Sequence, residues 1–199
     1  MSALTELYQQ IAACKDCEEL ARTRTQTVPG EGPEKAQIVF IGEAPGYHED
    51  QQGRPFVGQA GQFLEQLLNS IGLKRSDVYI CNVIKCRPPG NRDPLPVEIK
   101  NCQKWLDRQL ELLSPKMIVT LGRYSLAKFF PGESISKIHG KAKRQGNVIY
   151  FAMYHPAAAL HQQSLHQTIE EDMRKIPSLL RSQVDEIKEV DKPQQLSLF

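Results

Sequence analysis

Gln37-Ile-Val-Phe-Ile-Gly-Glu-Ala-Pro-Gly46 decides the fold class. Its first half is an apolar, β-branched run closed by Gly42, which suits a buried strand. Its second half is a Gly/Pro turn that ends the strand and carries one carboxylate, Glu43. Three runs of the same kind follow, Asp77 to Ile84, Lys116 to Leu121 and Val148 to Met153. Helical patterns lie around and between them. Ala3 to Ala13 puts Leu4, Leu7, Tyr8 and Ile11 on one face. Gly61 to Ile71 spaces Phe63, Leu64, Leu67, Leu68 and Ile71 helically, and Gly72 sits where a helix stops. Pro96 to Leu113 is amphipathic and opens on a proline, which the first turn tolerates. Gly122 to Phe130 follows the third strand, and His166 to Ser182, interrupted by Pro177, is the last helix. Strands separated by helices predict an α/β fold, a parallel sheet with right-handed crossovers and helices on both faces.

In such a sheet the binding crevice lies beyond the carboxyl ends of the strands. The loop Gly42-Glu-Ala-Pro-Gly46 brings backbone and Glu43 close to a ligand. Gly53-Arg-Pro-Phe-Val-Gly58 presents one aromatic, Phe56, between glycines. Asn82 closes the second strand with an amide able to read a base edge through one donor and one acceptor. His155 follows the fourth strand, ahead of Pro156. Taken singly, Phe56 could be core, Asn82 a turn former and His155 a loop residue. Their common sheet edge is what points to a site.

The chain has 199 residues, 40% hydrophobic and 24% charged, which fits one globular domain with a tail and excludes wholesale disorder. No apolar run is long enough to span a bilayer. Met1 to Gln10 does not read as a secretory signal, so a cytosolic protein without disulfides is expected. Five cysteines in that compartment invite a metal or redox explanation. Cys14-Lys-Asp-Cys17 is a short-spaced pair, Cys86 follows a strand and Cys102 lies in the next helix. Four thiolates from two segments can close a tetrahedral site, and the spacings do not separate zinc from iron–sulfur, or a metal from a redox dithiol. Cys81, mid-strand, reads as a small core residue. Net charge is +2, yet Ser134 to Ile169 holds no Asp or Glu, while Lys137, Lys141, Lys143, Arg144 and four histidines fall within it. A locally basic face suits a polyanion.

Five ordered motifs now acquire a common meaning. They are Gly42-Glu-Ala-Pro-Gly46 with Glu49-Asp50, Gly53-Arg-Pro-Phe-Val-Gly-Gln-Ala-Gly61, Asn82-Val-Ile-Lys-Cys-Arg-Pro-Pro-Gly-Asn-Arg92 and His155-Pro-Ala-Ala-Ala-Leu160, preceded by Cys14 and Cys17. Together they resemble the family 4, iron–sulfur uracil-DNA glycosylases of bacterial type. The resemblance implies a three-layer α/β/α sandwich with a four-stranded parallel sheet. It implies a structural [4Fe–4S] cluster on Cys14, Cys17, Cys86 and Cys102. It also implies hydrolysis of the N-glycosidic bond of a deoxyuridine flipped out of DNA. Gly42, Glu43, Ala44 and Pro45 would line the uracil, Phe56 would stack on it, Asn82 would hold its pyrimidine edge and His155 would hydrogen-bond its 2-oxygen as charge develops. Family 1 enzymes carry, where Ala44 stands, an Asp that positions water, and a methyl-blocking Tyr where Gly46 stands. Glu43 is the nearest candidate for the water here, with Glu49 and Asp50 behind it, and the turn around Glu49 is the candidate for thymine exclusion. Arg87, Arg92, Lys141 and Arg144 are expected on phosphates, and Leu160 as the wedge that enters the duplex.

Residues 1–182 are expected to form the glycosylase domain and 183–199 a tail, charged and then abruptly apolar. Gln195-Leu-Ser-Leu-Phe199 either folds back onto the domain or is a docking peptide, and it resembles the pentapeptide by which bacterial repair and replication proteins bind the sliding clamp, with Gln195, Leu196, Leu198 and Phe199 as its contacts. A monomer acting in the cytoplasm, on the nucleoid, is expected. The competing readings are a non-catalytic nucleic-acid-binding module with zinc or iron–sulfur, and a hydrolase of small nucleotides.

Overall fold

The fold is that of a computed structural model, which describes residues 2–181. The expected tail, 183–199, with the clamp peptide at 195–199, lies outside the described residues. In chain order the elements are α1 (Ala3–Ala13), α2 (Glu18–Thr23), β1 (Ile38–Gly42), α3 (Tyr47–Gln52), α4 (Gln59–Ser70), β2 (Tyr79–Asn82), α5 (Pro96–Leu113), β3 (Met117–Leu121), α6 (Arg123–Phe129), α7 (Ile135–Ile138), β4 (Ala142–Gln145), β5 (Val148–Met153), α8 (Pro156–His161), α9 (Ser164–Met173) and α10 (Ile176–Arg181). Single 3₁₀ turns at Arg75–Asp77 and Pro89–Asn91 flank β2.

The strands form one sheet in the order β2-β1-β3-β5-β4. β1 lies between β2 and β3, parallel to both, and β3 pairs in parallel with β5. The expected four parallel strands are therefore present, but a fifth, β4, joins antiparallel to β5. It comes from the basic segment and has no apolar run to betray it. An edge strand has one neighbour and turns charged side chains to water. Gly146, at φ 58°, opens the two-residue loop into β5, a place that favours glycine. The last helical stretch is divided, as the interruption at Pro177 allows. It is two, α9 and α10, with Pro177 in the first turn of α10, where a missing N–H is harmless.

The apolar runs are continuous because both sheet faces are covered. Ile38 and Phe40 point into one core with Leu64, Leu67, Phe151 and Met173. Val39 and Ile41 point into the other with Ile11, Leu20, Tyr79 and Leu106. Period-two alternation thus feeds two cores, with α4, α8, α9 and α10 over one face and α1 and α5 over the other. No helix among the described residues is long and apolar enough to cross a membrane.

Candidate functional site

The parallel strands end together, so Gly42, Asn82, Gly122 and the chain after Met153 share one edge. At its centre Gly42 lacks a side chain for a steric reason. A Cβ there would stand 2.4 Å from Asn82 Oδ1 and 2.6 Å from Phe56 Cζ. The Asn82 amide and the Phe56 ring therefore converge over one backbone atom. Asn82 is 2% exposed, and its Oδ1 is buried with no hydrogen-bond partner. An orphaned buried acceptor is costly, and this one stands open to a donor from a ligand or a water. The Phe56 ring lies beside the His155 ring, with centroids 5.4 Å apart and planes 25° from parallel.

His155 caps α8, and its Nδ1 accepts a hydrogen bond from the Ala157 N–H at 3.1 Å. A neutral ring so fixed carries its proton on Nε2, as a donor. Desolvation by the surrounding protein pulls its pKa down to about 4, against a weaker upward pull from the Glu49 carboxylate. Gly122, at φ 85°, lets the chain pass, since a Cβ there would meet His155 Cβ at 3.0 Å.

Phe56 itself sits at φ 52°, unusual for a residue with a side chain. Its surroundings impose that backbone. Arg75 donates to the carbonyls of Pro55 and Phe56. Glu31 holds Arg75 at 2.8 Å and Arg54 at 2.7 Å. Gly61 leaves room for the Phe56 carbonyl, which a Cβ would approach to 1.8 Å. Glu49 joins this loop to the first one. Its Oε1 accepts from the Val57 and Gly58 N–H groups at 2.8 and 2.9 Å, and its Oε2 from the Gly46 N–H at 3.1 Å. Asp50, 1% exposed, accepts from the Thr25 N–H through both oxygens at 3.0 Å. Both acids expected behind Glu43 are thus occupied with backbone. Glu43 is half-buried at the end of β1, and burial raises its carboxyl pKa, helped by Asp93 and opposed by Arg123. No hydrogen bond reaches that carboxyl from the described residues. Ala44 packs against the second core, and Pro45 is buried beside it.

Around this centre the predicted contact residues divide. Arg87 is oriented by Asn91 Oδ1 at 2.6 Å and lies over the exposed Tyr47 ring at 5.1 Å. Lys141 and Arg144 are exposed on and beside β4, and neither forms an ion pair among the described residues. Leu160 is exposed on α8. Arg92 differs. Its guanidinium is bound by Glu98 at 2.6 Å and Glu19 at 2.7 Å, so it braces α2 against α5 while staying part-exposed.

Cys14, Cys17, Cys86 and Cys102 line one cavity, floored by Leu20 and Ile84. Cys81 is buried in β2, in the core as expected. Burial raises the Cys17, Cys86 and Cys102 thiols, the last to about 12. Donors are already aimed at three of the sulfurs. The Arg24 Nη1 reaches Cys86 Sγ at 2.9 Å, the Lys85 N–H reaches Cys102 Sγ at 3.3 Å and Asn101 Nδ2 reaches Cys17 Sγ at 3.7 Å. Among the described residues no three His, Cys, Asp or Glu side chains close on a single ion. Four cysteine sulfurs lining one cavity and met by N–H donors are a donor set that a thiolate-held metal centre, an iron–sulfur group included, can use.

The sequence alone does not single out Arg24, Arg75 or Lys85. Each acts over a gap in sequence or through a backbone carbonyl, and only the spacing of Lys85 beside Cys86 hinted at one of them. The chain matches the uracil DNA glycosylase superfamily over residues 29–176. It is 48% identical over 189 residues to the type-4 uracil-DNA glycosylase of Sulfurisphaera tokodaii, covering 90% of this chain and 86% of that protein. Identity is 47% over 188 residues with the type-4 uracil-DNA glycosylase of Archaeoglobus fulgidus, covering 90% and 94%. With the bacterial type-4 uracil-DNA glycosylase of Thermotoga maritima it is 41% over 188 residues, covering 92% and 96%.

Proposed function

This chain belongs to the uracil-DNA glycosylase superfamily, in its type-4 branch, and we propose that it hydrolyses the N-glycosidic bond of a deoxyuridine flipped out of DNA. Uracil leaves and an abasic site remains for base excision repair. The observation that carries this reading is the orphaned Asn82 Oδ1 over Gly42, flanked by Phe56 and a neutral His155. Uracil offers an N3–H donor beside a carbonyl acceptor, which the two ends of the Asn82 amide complement. Cytosine reverses both and would set acceptor against acceptor. Phe56 supplies the stacking face. As the bond to C1′ breaks, negative charge grows on the ring, and the His155 Nε2–H is the donor aimed at it. Glu43 orients the water that attacks C1′.

The four cavity thiols would hold a [4Fe–4S] cluster, which supplies a cross-link between the N-terminal helices and the loop after β2. The exposed Lys141 and Arg144 and the half-buried Arg87 would contact phosphates, and Leu160 would fill the space the base vacates. Gln195-Leu-Ser-Leu-Phe199 supports a further partner, the bacterial sliding clamp, on its sequence alone. Truncation after Pro193 should abolish clamp binding and leave excision from short oligonucleotides intact. Equal clamp binding by both forms would reject that role.

The test of the function is release of free uracil from matched single-stranded U, U·A, U·G and T·G oligonucleotides, with dUMP as control. Uracil should leave the first three. Asn82→Ala and His155→Ala should each slow single-turnover release by about 10²-fold, which is ~3 kcal/mol of transition-state stabilisation. DNA binding without release would instead favour a non-catalytic module.

A further inference from the structure

The charges round the cysteine cavity are unbalanced in a specific way. The carboxylates nearest to it are already paired, Asp16 with Lys104 at 2.6 Å and Glu98 with Arg92 at 2.6 Å. Two basic residues that line the cavity, Arg24 and Lys85, have no carboxylate partner among the described residues. Arg24 is part-buried. It donates to Cys86 Sγ at 2.9 Å, to the Cys14 carbonyl at 2.7 Å and to the Ala12 carbonyl at 3.4 Å. Lys85 is 1% exposed, and its Nζ donates to one neutral acceptor, the Asn82 carbonyl at 2.7 Å. A buried ammonium facing only neutral groups is strongly unfavourable, so such a residue needs an anion close by. The anion available is the set of thiolates.

We propose that Arg24 and Lys85 are the counter-ions of the cluster, matched in number to its resting charge. This rests on the reading that the four cysteines hold a [4Fe–4S] group. A four-iron core with two positive charges, held by four thiolates, is left with two negative charges, and the two cations cancel them. Arg24 has a second effect. A donor hydrogen bond to a ligating sulfur withdraws electron density and favours the more negative state. It also spans the two halves of the ligand set, because one guanidinium touches the Cys14 backbone and the Cys86 sulfur. Lys85 carries the same charge to the base-reading strand, through the Asn82 carbonyl. Removing either cation leaves excess negative charge, which favours loss of an electron from the cluster.

The experiment uses the full-length protein, purified without oxygen, and the variants Arg24→Met, Arg24→Lys and Lys85→Met. Iron content and the absorption band near roughly 400 nm are read first. Ferricyanide, a one-electron oxidant, is then added and bleaching is timed. Arg24→Met and Lys85→Met should bleach about 10-fold faster than the parent, within the range that groups hydrogen-bonded to metal ligands command. Arg24→Lys, which keeps the charge and loses the fork, should fall between. A variant with the parent's far-UV circular dichroism that retains less iron is the same result at its limit. A variant with the parent's iron content that bleaches at the parent's rate overturns the proposal. A parent that purifies without iron overturns instead the cluster reading on which the proposal rests.

Discussion

His155 shows how a residue's chemistry is set by neighbours that its sequence position does not reveal. Its place after a strand marks it as a candidate, but the Ala157 N–H on Nδ1 and desolvation of the half-buried ring decide its form. A folded pKa of about 4 lies below the ordinary 6.5. Stability from the neutral ring is therefore fully present above about pH 6.5 and is lost as pH falls through 4. NMR of imidazole-labelled protein should show His155 neutral, protonated on Nε2, down to about pH 5. A midpoint near 6.5 for that ring would remove the neutral-donor role. Phe56, Asn82 and Glu43 are legible in the sequence as candidates at one sheet edge, and Cys14, Cys17, Cys86 and Cys102 as candidate ligands by their spacing. Arg75 was not, because it works on the carbonyls of Pro55 and Phe56 and leaves no pattern. It holds Phe56 in a left-handed backbone of a kind that costs ~1–3 kcal/mol elsewhere in proteins. Arg75→Met should release that loop and lower kcat/KM for uracil excision about tenfold or more, with binding to uracil-free DNA little changed. An equal fall in both would assign Arg75 to general stability.

Among the elements, those on which burial imposes a period are legible in the sequence. The four parallel strands are apolar on both faces, so they stand out as runs, and α1 and α5 carry clear stripes with the observed bounds. Short or half-exposed pieces leave no such signal. α3, α7 and α8 span six, four and six residues, too few for a periodic signal. β4 is an exposed edge whose sequence, Ala-Lys-Arg-Gln, matches no strand pattern. That edge has a consequence for DNA. Lys143 leans over the Phe130 and Tyr150 rings, at 4.6 and 5.8 Å, and is spent on packing. Lys141 and Arg144 are exposed instead. Lys141→Ala and Arg144→Ala should each weaken binding to every DNA sequence and reduce the salt slope by about 1. Lys143→Ala should cost stability more than affinity. Salt titrations of binding to a uracil-free duplex give both outcomes, and an unchanged slope in the first two variants would take β4 away from the phosphates.

In the whole molecule, the site and the cysteine cavity are two ends of one short segment. Asn82 closes β2, Lys85 bonds back to its carbonyl, and Cys86 enters the cavity next. Across the cavity, Cys14 and Cys17 lie between α1 and α2, while Cys102 lies within α5. α1 packs on α5 through Leu4, Leu7 and Ile11, so the second core does not depend on a cluster alone. Removing a cluster should therefore not unfold the sheet. It should free the 14–24 segment and loosen the loop from Asn82 to Arg87, because a bound metal group contributes its binding energy to the folded arrangement of its ligands. Stripping iron with chelator and oxidant should lower the melting temperature by several degrees, in keeping with a loss of a few kcal/mol in a domain of this size. Hydrogen exchange should rise first in residues 14–24 and 82–87, with β1 and β3 still protected. Cys14→Ser and Cys102→Ser should reproduce that pattern. Cys81→Ser, in the core of β2, should keep the iron and show a uniform loss of stability instead. Exchange that rose evenly across the sheet on iron removal would mean that the cavity is a support for the whole fold, and the local link between cysteines and Asn82 would have to be abandoned.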